Sequence, residues 1–343
     1  MTKLKLNFIK NFPVSWFASV MGTGILANTS FFYSNYLPFL TYLASFLFYF
    51  NIGLFCVFFI PFILKIILFR KESRIELEDP IKTNFFPTFS ISFVVLAANS
   101  IYILKNISVA IILWYIGTFL TIFFSILIPF VLFRSENAKI HHINPAWFIP
   151  PVGLIIIPFV GNSFISQFSG IAYEFMVFLN YFGWGAGFFI YLALLSICIY
   201  RFALIHPMPN LLAPTIWIGL GPIGAGIVAL NNLIINSSFV TVKEPFFVFS
   251  LLFWGFGIWW LFIAIIMTVH YIRKLRLPYS MSWWAFIFPL GAYIASCRSV
   301  SFIFNFHLID YIGFGLYWLL FSLWLITLVK TLLHLIHRNK SSS

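Results

Sequence analysis

An all-α integral membrane protein of ten spanning helices, paired as five hairpins, is the fold this sequence predicts. Three observations predict it. Of 343 residues, 62% are hydrophobic and 8% are charged, against roughly a quarter charged in soluble domains. Charge-free stretches run over 11–64, 83–104, 106–133, 140–173, 175–200, 202–242 and 277–297, and one spanning helix takes about 20 apolar residues. Prolines recur near the starts of alternate stretches. With 47 Phe and a mean hydropathy of +1.01, no soluble fold could hide the apolar surface behind so few charges. A soluble enzyme, a nucleic-acid-binding domain, a disulfide scaffold and a disordered chain are excluded.

The first long stretch breaks at Tyr33-Ser34-Asn35-Tyr36-Leu37-Pro38, a polar turn ended by proline, which predicts helices over 13–32 and 39–64. Helices over 86–104, 108–133, 145–161 and 174–202 follow. The stretch 202–242 holds one span, 211–235, because His206-Pro207-Met208-Pro209-Asn210 and Asn236-Ser237-Ser238 read as loops. Helices over 246–272, 282–302 and 309–334 complete a single domain, 1–343, with short tails 1–12 and 335–343. The first helix follows a basic start and imitates a signal peptide. Its apolar run is too long and lacks a cleavage site, so it reads as a retained span. Cys56, Cys198 and Cys297 sit inside apolar runs and read as small core residues.

Orientation follows from Lys and Arg. With ten helices both termini share a face, and 17 of the 20 basic residues fall on it: Lys3, Lys5, Lys10, Lys65, Arg70, Lys71, Arg74, Lys82, Arg134, Lys139, Arg201, Arg273, Lys274, Arg276, Lys330, Arg338 and Lys340. The other face has Lys105 and Lys243, while Arg298 lies within helix nine. The positive-inside rule places both termini in the cytoplasm, and the expected location is the plasma (inner) membrane. Most of the net charge of +12 is therefore topology.

Odd-numbered helices share an opening. Helix one has Pro13-Val14-Ser15-Trp16-Phe17, helix three Phe85-Phe86-Pro87, helix five Pro145-Ala146-Trp147-Phe148, helix seven Pro214-Thr215-Ile216-Trp217, and helix nine Trp283-Trp284-Ala285-Phe286-Ile287-Phe288-Pro289. Even helices mostly lack the proline. The small and polar residues also concentrate on odd helices: Gly22-Thr23-Gly24 and Asn28, Ser90 and Asn99, Pro150-Pro151 and Gly153, then Gly219, Gly221-Pro222 and Gly224. Polar groups at membrane depth are tolerated against protein or a watery cavity. The odd helices are therefore expected inside and the Phe-, Ile- and Leu-rich even helices against lipid. The glycines serve either close packing alone or packing and pore lining together.

The run Pro13 to Leu26 resembles the opening signature of the tellurite-resistance/dicarboxylate transporter family. Segments 145–153, 213–222 and 283–289 resemble its fifth, seventh and ninth helices. That family includes malate permeases, sulfite efflux pumps, tellurite-resistance proteins and plant slow anion channels. The resemblance implies five hairpins in quasi-fivefold arrangement around a central pore, often in a homotrimer. It implies passage of a small anionic substrate and occlusion of the pore by a helix-nine phenylalanine. By position beside the proline this is Phe288, with Phe286 as fallback, about 200° away around the helix.

The anion path is expected to be lined by Gly22, Thr23, Gly24, Ser90, Asn99, Pro151, Gly219, Gly221, Pro222, Gly224 and Pro289. Arg298 either draws anions at the external mouth or pairs with Asp310 across the last hairpin. The seven histidines lie at helix ends or loops, and no HExxH-like pair is present. No enzyme, no cofactor, no metal and no nucleic-acid partner is expected. The form of helix one looks closest to the malate and sulfite branch. It points to a permease for C4-dicarboxylates or small anions such as sulfite, the alternative being a gated chloride or nitrate channel.

Overall fold

The computed structural model describes residues 3–136 and 139–340, with side chains from 6 to 337. Lys3, Lys5, Arg338 and Lys340, counted above on the basic face, have side chains outside that set. The described chain is helical throughout: α1 (Lys3–Lys10), α2 (Phe17–Phe32), α3 (Leu40–Leu68), α4 (Arg70–Glu78), α5 (Pro87–Tyr102), α6 (Ile107–Phe133), α7 (Ile149–Gly161), α8 (Gly170–Leu204), α9 (Leu220–Asn236), α10 (Glu244–His270), α11 (Ile287–Phe304) and α12 (His307–Lys340). Nine stretches among the described residues are long and apolar enough to cross a membrane. This is an all-α membrane protein. The expected first span, the 16 residues of α2 behind a single 3-10 turn, Val14–Trp16, is not among those nine.

Three differences from expectation are amphipathic or terminal. The tail expected over 1–12 contains α1, and the tail expected over 335–343 continues α12 through Lys340. The loop after helix two folds as α4, whose Glu72 pairs with Lys10 at the end of α1 at 3.0 Å. Short charged helices escape a reading based on apolar length, because most of their stability comes from what they dock against.

The proline signature has a common structural meaning. Each inner helix is preceded by 3-10 backbone: Val14–Trp16, Lys82–Phe85, Pro145–Phe148, Asn210–Gly219 and Met281–Phe286. Proline has no N–H to give and suits the first turn of a helix, and the adjoining aromatics wedge the tighter turn against neighbours. Trp217, for example, meets Phe286 edge-on, centroids 5.5 Å apart.

Burial separates two rings. The windows containing α5, α7, α9 and α11 are 83%, 94%, 89% and 78% buried, whereas those of α3, α6, α8, α10 and α12 are 17% to 33% buried. Buried α2 joins the inner set. Around the inner ring α2 packs on α5, α5 on α7, α7 on α9, α9 on α11, and α11 back on α2. Each outer helix packs on the inner helix it follows and leans on the next one round. Lipid-facing Phe46, Phe119, Phe189 and Phe262 account for part of the phenylalanine excess. Small residues let backbones meet: a Cβ on Gly187 of α8 would sit 2.7 Å from the Pro151 carbonyl of α7.

Candidate functional site: an axial pathway

Four cavities follow one another along the ring. At the face carrying the termini, a vestibule of about 430 Å³ is lined by Lys10, Ser15, Lys65, Lys82, Phe85, Met281 and Ser282 among others. Phe85, Met281 and Ser282 also line a first chamber of about 40 Å³, walled by Ala18, Met21, Thr88, Ile149, Val152, Ile218, Gly221, Phe288 and Pro289. A second chamber of about 20 Å³ follows, walled by Ile25, Asn28, Val94, Val95, Ala98, Ile156, Phe159, Ala225, Phe288 and Ala292. Phe159 then borders a vestibule of about 610 Å³ at the opposite face, where Asn232, Arg298, Ser299, His307 and Asp310 are found.

All five inner helices, or the 3-10 turns leading into them, contribute to each chamber. Phe288, 6% exposed, is the residue both chambers share among the described ones. It borders both. The walls are almost wholly apolar, which favours closure by dewetting as well as by bulk. Phe159 holds the corresponding place between the second chamber and the outer vestibule. It follows Pro158 as Phe288 precedes Pro289.

Other expected lining residues sit elsewhere. Phe286 is wedged between Trp217 and Trp283. Thr23 accepts from Trp324 Nε1 at 3.0 Å, which turns its hydroxyl to α12. Ser90 accepts from Thr121 of α6 at 2.9 Å and donates to the Pro87 carbonyl. A side chain on Gly22 would meet Ile287 and Trp284; one on Gly219 would meet Trp260; one on Gly224 would meet the backbone of Ala292 and Tyr293. Pro151 carries the carbonyl against which Gly187 packs, and Pro222 is buried in α9. Gly24 packs where Asn51 and Asn99 converge. Asn99 donates to the Gly24 carbonyl at 2.9 Å and to Asn28 Oδ1 at 2.8 Å. Gly221, Phe288 and Pro289 line the pathway together. Asn28 and Phe159 join them without having been singled out: one polar residue among many on odd helices, and one Phe among 47.

Fixed charge along the path is paired. At the terminal vestibule Lys10 meets Glu72, Lys65 meets Glu76 while donating to the Phe12 carbonyl at 2.8 Å, and Lys82 lies 3.9 Å from Asp79. The Lys10 hydrogen bond holds the Glu72 carboxyl below its ordinary pKa. At the opposite mouth Arg298 Nη1 meets Asp310 Oδ2 at 2.9 Å. Tyr36, in the loop after α2, donates to the same oxygen at 2.8 Å. Burial, with that hydrogen bond second, pushes the Tyr36 phenol up to about 12. Arg298 thus both pairs with Asp310 and lines the vestibule.

A family model described as voltage-dependent anion channel, SLAC1, matches residues 11–332. Two uncharacterised transporters of Methanocaldococcus jannaschii are 56% and 55% identical, each alignment covering 95% of this chain and 94% or 95% of the relative. A sulfite efflux pump of Arthroderma otae is 25% identical over 325 residues, covering 89% of this chain and 86% of the pump. Five inner helices around an axial series of cavities, and a family match across nearly the whole chain, lead to one conclusion: this chain belongs to the voltage-dependent anion channel (SLAC1) family of membrane transport proteins.

Proposed function

We propose that the protein passes small anions singly along the inner ring, sulfite or a comparable inorganic anion before a C4-dicarboxylate, and that Phe288 is the closed gate. The observation that supports this reading is that Phe288 borders both of two successive chambers walled by all five inner helices. An ion in such a pore loses hydration, so narrow apolar chambers favour a small anion over a malate-sized one. Kinship with sulfite efflux pumps points the same way. Gly221 and Pro289 line the path; Gly22, Gly24, Gly219 and Gly224 bring helices close enough to build it. Thr23, Ser90, Asn99, Pro151 and Pro222 shape it from behind. Arg298 contributes a partly neutralised positive field at the outer mouth.

In this reading residues 1–343 form one domain of ten spans. The helix α2 with its 3-10 turn reaches ~30 Å, enough for the tenth. The hairpins repeat with quasi-fivefold symmetry, both termini are cytoplasmic, and the protein sits in the plasma membrane as a homotrimer. Liposome flux of chloride, nitrate, sulfite and malate tests the proposal. Wild type is expected to pass little anion and Phe288→Ala to pass chloride, nitrate and sulfite but not malate. Saturable malate uptake by wild type, with no flux released by the alanine, would overturn both substrate and gate.

A further inference from the structure

We propose that Arg201 is the core of a binding site for the phosphate of an anionic lipid headgroup, in the outer ring where α8 and α10 end on the face carrying the termini. The proposal is independent of the permeation reading, because it concerns lipid-facing helices and a charge the pathway does not use. Two basic side chains are buried among the described residues, Lys65 and Arg201. Lys65 is satisfied from within, by Glu76 and by the Phe12 carbonyl at 2.8 Å. Arg201 is 3% exposed and has neither kind of partner. Among the described residues no carboxylate lies within ion-pair distance of it, and its Nε is buried without an acceptor.

The groups around Arg201 do not fill that need. Its Cζ lies 5.8 Å from the Phe202 ring, and its charged neighbours in the titratable sense are Cys198 and Tyr271. Tyr271 turns its hydroxyl to the Met208 carbonyl at 2.9 Å. The C-terminal end of α8 favours a positive charge, but a guanidinium carries five N–H donors and can accept nothing. A buried charge left without a counter-charge or hydrogen bonds is costly. Its retention points to an acceptor supplied from outside the chain.

The surroundings say which anion fits. The end of α10 continues as a π-helical turn, Tyr271–Leu275, and Arg273, Lys274 and Arg276 stand exposed there, also without an acid in ion-pair range among the described residues. That turn is strapped to the segment after α8 by two hydrogen bonds, Tyr271 to the Met208 carbonyl and Asn210 to the Leu275 carbonyl. Arg201 and the basic run therefore share one corner of the molecule. The surface around that corner is apolar: Ile197, Tyr200 and Leu204 of α8, with Val269 and Ile272 at the end of α10, are 40% to 68% exposed. Cations beside open apolar surface suit an amphiphile, with phosphate on the bases and hydrocarbon along the side chains. A free inorganic anion would use the first and leave the second bare. The guanidinium fork matches two oxygens of one phosphate, and the neighbouring bases strengthen attraction to an anionic headgroup.

Thermal unfolding of lipid-stripped protein in neutral detergent tests the site, with phosphatidylglycerol, phosphatidylcholine and inorganic phosphate as probes. The wild-type midpoint is expected to rise saturably with phosphatidylglycerol and to move little with the other two. Arg201→Met keeps the length of the side chain and removes its charge. Its response to phosphatidylglycerol is expected to fall to the phosphatidylcholine level, and an undiminished response overturns the site. A wild type that treats the two lipids alike overturns it as well. Equal stabilisation by inorganic phosphate would give Arg201 to a free anion and overturn the lipid. Should Arg201→Met fail to fold, Arg201→Lys keeps the charge and loses the fork. The phosphatidylglycerol concentration giving half the shift is then expected to rise about tenfold, the loss of one charge-assisted hydrogen bond, and an unchanged concentration overturns the site.

Discussion

Trp324 of α12 donates its indole N–H to Thr23 Oγ1 of α2 across 3.0 Å, a hydrogen bond between residues 301 positions apart. Both side chains are buried. This contact joins the last outer helix to the first inner helix and closes the ring of hairpins. Trp324→Phe keeps the ring volume and deletes the donor. It is expected to cost about 0.5–1.5 kcal/mol, read as a lowered thermal unfolding midpoint in detergent, and Thr23→Val in the same background is expected to add little.

Gly224 has no room to grow. A methyl there would strike the backbone of Ala292 and Tyr293, not the end of a flexible side chain. Gly224→Ala should destabilise by about 1–3 kcal/mol through separation of α9 from α11. Because α11 carries Phe288, the same variant is expected to leak anions in liposomes. Gly255→Ala, where a methyl meets open space, serves as the control and should do neither.

Removing the acid at the outer mouth exposes its base. Arg298 is held by Asp310 Oδ2, which Tyr36 also approaches. Asp310→Ala frees the guanidinium in a vestibule of about 610 Å³. In a Phe288→Ala background, anion flux at low ionic strength should rise severalfold, and the gain should shrink as salt shortens the Debye length to about 8 Å at 0.15 M. A gain that persists in high salt would argue against a field effect.

Acid should release α1 from α4. The Glu72 carboxyl is held below its ordinary 4.5 by hydrogen bonding to Lys10. A carboxylate depressed on folding contributes fully above the unfolded value and loses its contribution as pH falls through the lowered one. The tether is therefore intact at neutral pH and lost only as pH falls below the ordinary glutamate value of 4.5. Amide exchange in α4 should accelerate only there. Lys10→Ala should move the Glu72 titration back up toward 4.5.

Phe159 should matter only after Phe288 is gone. On the proposed gating by Phe288, which borders both chambers, Phe159→Ala alone should leave flux at the wild-type level. The double variant should pass more anion than Phe288→Ala. Equal fluxes would show that Phe159 does not narrow the path.

The membrane class and the inner and outer helices were legible because lipid enforces them: length, missing charge, and prolines with small residues on alternate segments. Helix ends at 133, 161 and 32 coincide with the expected ones. The pathway lining was harder to read. Gly22, Gly24, Gly219 and Gly224 are small because a neighbour occupies their space. Thr23 and Ser90 sit on inner helices yet bond outward, to α12 and α6. An inner helix is buried on every side, so sequence marks it as inner without saying which flank faces the axis. Asn28 and Phe159 needed their neighbours in three dimensions.

The 3-10 backbone ahead of each inner helix carries a mechanical consequence. Such backbone rises about 2.0 Å per residue and turns about 120°, against 1.5 Å and 100° in an α-helix. Over the six residues Met281–Phe286, rewinding to α geometry would withdraw the start of α11 by ~3 Å and rotate that helix by ~120°. Phe288 lies two residues beyond. A local change of pitch there would act on that ring as a screw, turning it and drawing it back together with the body of α11.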